Sequence, residues 1–199
     1  MPADEKMILF VGRIEPLKGI DTLIKAIAQL RKADVLSQCP HYLYIIGGNP
    51  NEDLDRVNQE MLRLQRLCTQ LGVDDMVLFL GKRDQDSLQY YYSAAEVVVM
   101  PSQYESFGMV ALESMACGTP VIATQVGGLQ HLVKDQETGF TVPHNDPNAL
   151  EEKLTMLMCN QEMKVEMSKD AQEYAKTYAW EIVAKDLLNI FQKISKTKS

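Results

Sequence analysis

The chain has 199 residues, 46% of them hydrophobic and 24% charged, with a formal net charge of −7. That length is one domain's worth and can bury roughly 70% of the unfolded surface, so no disulfide or metal staple is required. The acidic balance argues against nucleic-acid or membrane-surface binding as a general function. Four cysteines, Cys39, Cys68, Cys117 and Cys159, lack C-x-x-C spacing and read as the reduced thiols of a cytoplasmic protein. No apolar run reaches about 18 residues and "MPADEK" lacks signal-peptide features, so no membrane span is expected.

In chain order, strand and helix signals alternate. "MILFVGR" is a short apolar run ending at Gly12, the pattern of a strand covered on both faces. "DTLIKAIAQLRK" sets Leu23, Ile24, Ile27 and Leu30 on one helical face. "HYLYIIGG" is a second strand, and the helix through "NQEMLRLQRLCTQLG" stops at Gly72. Next come strand "MVLFLG", helix "QDSLQYYYSAA", strand "EVVVMPS", helix "GMVALESMACG", strand "PVIAT" and strand "GFTVP". The remainder is helical, opened by Asp146 as N-cap with Pro147 at the first helical position. The polar "KISKTKS" tail is expected to fray.

This alternation predicts an α/β fold: a Rossmann-like, doubly wound parallel sheet of about six strands, helices on both faces, with extra C-terminal helices. The core spans about residues 7–158 and the C-terminal helices about 161–197 of a single domain, 1–199. Ligands of such sheets bind at the carboxyl ends of the strands. The segments just beyond the strand ends therefore carry the functional reading.

"GRIEPLKG" comes after the first strand, with Gly12 and Gly19 bracketing Arg13 and Lys18. A planar fork and a point charge in one loop suit a diphosphate, although most Lys and Arg are solvated surface charges. Neither GxxxxGK[ST] nor GxGxxG occurs, so P-loop and dinucleotide-dependent oxidoreductase chemistry lose support. After the fourth strand, "SQYESFGMVALES" places Glu105 and Ser106 before a helix that starts near Phe107 or Gly108, with Glu113 inside it. Gly108 permits close approach to amides that can receive an anion. Carboxylates repel that anion, so Glu105 and Glu113 are fitted instead to accept hydrogen bonds from hydroxyls on either side of it. A sugar, a diphosphate and a ribose laid end to end satisfy the pattern. Taken alone, the pair also fits a helix-start carboxylate and a solvated helix glutamate.

"GRIEPLKG", "YYYSAAEVVVMPSQYESFGMVALESMACGTPVIATQVGGL" and "TGFTVPHNDPNAL" together resemble the C-terminal, donor-binding domain of retaining glycosyltransferases with two Rossmann-like domains. This is the GT-B group that includes sucrose-phosphate synthases, sucrose synthases, glycogen synthases and mycothiol-type transferases. The resemblance runs from Met7 to about Leu157 and is nearest to the sucrose-phosphate synthases. It implies that Arg13 and Lys18 meet the diphosphate, that Gly12 belongs to the donor-binding site and that Glu105 stands beside the donor sugar. The backbone from Ser106 through Phe107, Gly108, Met109 and Val110 would meet sugar hydroxyls and phosphate, and Glu113 would bind the ribose. Lys82 and Arg83 would flank the nucleobase, and Leu88 would pad it. Arg13, Lys18 and Glu105 are the catalytic candidates.

The resemblance further implies transfer of a hexose, such as glucose from UDP-glucose, with retention of configuration and without a bound metal or other cofactor. The acceptor would be a hydroxyl, as on a sugar phosphate or a mycothiol-type substrate. "DQD" at Asp84–Asp86 matches the letters of a metal-binding Asp-x-Asp but falls at a helix start, where Asp84 or Asp86 reads as an N-cap. His41, His131 and His144 are scattered and suggest no metal site. A complete enzyme of this kind also carries an N-terminal acceptor domain, expected here as the partner of this chain. The chain alone is thus expected to bind nucleotide weakly and to transfer little sugar. The last helix is expected either to expose Trp180, Leu187, Leu188 and Phe191 or to pack on its own sheet. A non-catalytic nucleotide-binding or regulatory module is the alternative.

Overall fold

The computed structural model describes residues 6–33, 40–48 and 54–197. Cys39, the first five residues and the last two of the tail lie outside the described residues.

Six parallel strands form one sheet in the order β3-β2-β1-β4-β5-β6. They are β1 (Lys6–Val11), β2 (His41–Ile46), β3 (Val77–Gly81), β4 (Val97–Met100), β5 (Val121–Thr124) and β6 (Gly139–Val142). The helices are α1 (Ile20–Lys32), α2 (Leu54–Leu71), α3 (Gln85–Ala94), α4 (Met109–Ala116), α5 (Leu129–Leu132), α6 (Pro147–Cys159), α7 (Gln161–Ala175) and α8 (Trp180–Thr197). Single 3-10 turns at Pro16–Lys18 and Lys176–Tyr178 complete the path.

Alternate strand residues feed two separate apolar layers, which is why the strands read as unbroken hydrophobic runs. Ile8, Phe10, Leu43, Ile45, Val97 and Val99 meet Leu23, Ile24, Ile27 and Leu30 of α1, Leu64 of α2 and Leu154 of α6 on one face. Leu9, Val11, Tyr44, Val98 and Met100 meet Leu88 and Tyr92 of α3, Met115 of α4 and Leu129 of α5 on the other. Asp146 caps α6 by accepting from the amides of Asn148 and Ala149, each at 3.0 Å, with Pro147 at the first position. Asp84 takes the N-cap position of α3, but its side chain makes no capping hydrogen bond. Glu96, just before β4, joins Lys6 of β1 at 2.7 Å and Lys164 of α7, tying that helix to the sheet.

Cys68, Cys117 and Cys159 are free thiols. Among the described residues, no helix is long and apolar enough to cross a membrane. On α8, Leu187, Leu188 and Phe191 are exposed and Trp180 is 80% so, which decides between the two expectations for this helix in favour of an uncovered face.

The chain builds outward from β1 to β3, then returns to place β4 against the other side of β1. The connections leaving β1 and β4 diverge, and a crevice opens between their carboxyl ends. Gly19 holds the loops after β1 and β4 together. It has φ 64°, and a Cβ there would stand 2.1 Å from the Pro101 carbonyl oxygen, so only glycine lets the two loops touch. The Gln103 amide donates to the Leu17 carbonyl at 2.8 Å across the same seam.

Candidate functional site

The crevice is a cleft of about 230 Å³ lined by the end of β1 and its loop and by the segment from Met100 to Val110. Gly12, Arg13, Lys18, Glu105, Ser106, Phe107, Gly108, Met109 and Val110, nine of the thirteen sequence candidates, all line it. Its volume falls below the roughly 300–1,000 Å³ of pockets that enclose a drug-sized molecule. It therefore suits one portion of an extended ligand.

Local structure explains the convergence. The Gly12 amide continues the ladder to the Ile46 carbonyl at 3.0 Å, after which the chain turns through Pro16–Lys18 and delivers Lys18 inward. Lys18 Nζ stands 2.7 Å from Glu105 Oε2, and both side chains are shielded, at 15% and 17% exposure. Arg13 is paired more loosely, 2.9 Å from Glu15, with its side chain 57% exposed. The solvent-shielded Lys18–Glu105 pair is the stronger electrostatic element, because an exposed pair is screened and gains little over hydration.

Gly108 precedes α4 with φ 102° and no side-chain cap, so the helix presents its first amides beside the Lys18–Glu105 pair. The bed beneath this segment is Gly127–Gly128. Gly127 has φ 47°, and a Cβ on it would fall 1.8 Å from the Glu105 carbonyl oxygen. The Gly128 amide donates to that same oxygen at 3.0 Å. The pair lies inside the "TQVGGL" run, where a double glycine was the available signal, yet sequence reasoning gave it no role.

Four candidates stand outside the cleft. Glu113 borders an adjoining groove of about 500 Å³ formed with Leu112, Gln172 and Tyr178. Its carboxylate accepts from the Tyr92 hydroxyl at 2.8 Å and from Gln85 Nε2 at 3.1 Å. Lys82 is exposed, while Arg83 is held by its own neighbours, its Nε donating to the Tyr91 hydroxyl at 3.0 Å. Leu88, expected to pad a base, is instead a core residue at 7% exposure. Leu88 and Tyr92 are four apart on α3, and that spacing was the sign of a shared inward face. Among the described residues, no three His, Cys, Asp or Glu side chains are grouped closely enough to hold a metal ion.

Residues 1–176 match the family model described as "Glycosyl transferases group 1". The chain belongs to this glycosyltransferase family. It is 38% identical over 191 residues to the D-inositol 3-phosphate glycosyltransferase of Salinispora tropica, covering 96% of this chain and 39% of that protein. Among solved structures, it is similar to sucrose-phosphate synthase from Thermosynechococcus elongatus, with 38% identity and a TM-score of 0.85. That likeness covers 99% of this chain and 47% of that one. HepE from Anabaena, solved in complex with UDP and glucose, is 26% identical with a TM-score of 0.78, covering 98% of this chain and 48% of that one. This glycosyltransferase chain thus spans less than half the length of these relatives, and its sheet with helices on both faces has the architecture of one half of a GT-B enzyme.

Proposed function

We propose that this chain is the donor-binding part of a retaining hexosyltransferase that moves a sugar, glucose in our reading, from a nucleoside-diphosphate sugar to an acceptor hydroxyl. One observation carries the reading: Arg13, Lys18, Glu105 and the start of α4 line a single cleft at the point where the strand order reverses. Arg13 and Lys18 offset the charge that develops on the departing diphosphate, and the α4 amides add a fixed dipole that need not reorganise during transfer. Lys18 then lies between two anions, the leaving group and Glu105. Glu105 lies beside the donor sugar and accepts hydrogen bonds from its hydroxyls. Ser106 to Val110 follow the sugar and phosphate with their backbone, Glu113 takes the ribose, and Lys82 and Arg83 flank the base. No bound metal is invoked, because fixed cations and amides supply the stabilisation. The UDP and glucose bound by HepE support this donor class.

The acceptor belongs to the remainder of a longer enzyme, an N-terminal domain whose partner face includes the apolar side of α8. Relatives more than twice as long as this chain support that reading. A phosphorylated polyol fits as acceptor, in keeping with the name of the Salinispora relative.

Calorimetry with UDP, ADP and GDP and their glucose conjugates tests the donor assignment. Lys18→Ala is expected to weaken every diphosphate at least about tenfold, since it leaves Glu105 without its cation. Glu113→Ala is expected to weaken all three nucleosides alike, because ribose is common to them. Unchanged diphosphate affinity in Lys18→Ala would remove the proposed cleft from consideration.

A further inference from the structure

Glu113 has donors on both carboxylate oxygens, and the two donors differ in kind. The Tyr92 hydroxyl donates to Oε2 at 2.8 Å. Its ring is 2% exposed within the apolar layer of α3 and α4. Burial first, then the neighbouring Glu113 charge, pushes the phenol far above its ordinary titration range, so it stays a protonated donor. The main chain of Tyr92 is fixed as well. Thr119 Oγ1 donates to the Tyr92 carbonyl at 2.6 Å, and Ser114 Oγ donates to the Thr119 carbonyl at 3.0 Å, both buried. Tyr92 is therefore linked to α4 twice, at Glu113 through its side chain and at Ser114 through Thr119. Gln85, by contrast, is exposed on the first turn of α3 and reaches Oε1 at 3.1 Å with a flexible amide.

We propose that Tyr92 is a positioning residue: its phenol anchors Oε2 of Glu113, so that Oε1 is presented to the vicinal hydroxyls of a nucleotide ribose, which displace the Gln85 amide. This rests on the reading that Glu113 grips ribose, and it adds how one oxygen is reserved for that task. A glutamate free to rotate would lose side-chain entropy on binding; one already held by a buried hydroxyl loses less. The asymmetry between a buried and an exchangeable donor is what allows one oxygen to be held while the other is traded.

The test compares the tightest-binding of UDP, ADP and GDP with its 2′,3′-dideoxy counterpart, by calorimetry, in the unmodified chain and in Tyr92→Phe. The unmodified chain is expected to prefer the ribose form. Tyr92→Phe keeps the ring and is expected to reduce that preference about tenfold, leaving the dideoxy ligand's affinity unchanged. In a Glu113→Ala background the same substitution is expected to change neither affinity further. A full ribose preference in Tyr92→Phe overturns the positioning role while leaving the ribose reading of Glu113 intact. So does an equal loss for both ligands, which marks Tyr92 as merely structural. Absence of ribose preference in the unmodified chain overturns the ribose reading, and this proposal with it.

A second measurement needs no substitution at Tyr92. In the unmodified chain, the Gln85 side-chain amide resonances are expected to shift with the ribose ligand and not with the dideoxy one. Identical shifts with both ligands overturn the exchange at Oε1.

Discussion

Lys18 and Glu105 sit 87 positions apart in sequence and 2.7 Å apart in space, and their meeting depends on residues that carry no charge. At Gly19, Gly127 and Gly128 a side chain would strike the backbone of the segments that aim them. Gln136 shows the opposite situation, a non-glycine held at φ 65° in an exposed turn between α5 and β6. A left-handed L-residue costs about 1–2 kcal/mol, and glycine's extra freedom in the unfolded chain offsets part of the relief. Gln136→Gly is therefore expected to stabilise by about 0.5–1 kcal/mol, a rise of roughly 2 °C in thermal midpoint. Cys68 gives a pH-dependent counterpart. Burial chiefly, with help from Asp74, pushes its thiol from an ordinary value of 9.0 to about 11. Below pH 9.0 the thiol is protonated whether folded or not, and its contribution to stability is complete. As pH rises toward 11, the unfolded chain ionises while the folded chain resists, so stability falls. Denaturant titrations across that range are expected to show a shallower decline in Cys68→Ala.

At the scale of elements, strands and long helices were readable because two-sided burial writes continuous apolar runs and helix faces repeat at 3.6 residues. Leu23, Ile24, Ile27 and Leu30 all lie in the core as their spacing requires. The elements that eluded the sequence are too short for a period to register. The turn Pro16–Lys18 has three residues and α5 has four, yet both shape the cleft. Long-range partners were equally hidden: the spacing from Leu88 marks the face of α3 that Tyr92 shares, but not that its hydroxyl reaches Glu113. Gly127→Ala tests the supporting role of the turn before α5. With 1.8 Å to the Glu105 carbonyl oxygen, the added methyl must displace that segment. Weaker diphosphate affinity together with a lowered thermal midpoint is the expected result. Unaltered affinity would show that the cleft does not depend on this support.

For the whole molecule, the position of the cleft is set by strand order. The chain winds outward from β1, returns for β4, and leaves a crevice where the two directions part. Charged groups from loops far apart in sequence share one site because both loops leave the sheet at that point. A chain spanning under half of its relatives is expected to bind donor and to transfer little sugar by itself, as measured by release of nucleoside diphosphate with a polyol phosphate acceptor. Turnover comparable to a complete enzyme would show that no second domain is needed. Trp180 offers an optical check on the docking face proposed for α8: its emission is expected to shift to shorter wavelength if an N-terminal domain covers it.

The joining of Lys18 to Glu105 also bears on selectivity. With opposite charges in contact, the cleft casts only a weak long-range field toward passing ions. An inorganic phosphate or sulfate that draws the ammonium away leaves a carboxylate stranded with nothing to bind. A ligand that arrives with hydroxyl groups alongside its phosphorus satisfies both members at once. On the donor-binding reading proposed above, the pair is expected to act as a filter for bifunctional molecules, turning away simple salts by the chemistry they fail to bring.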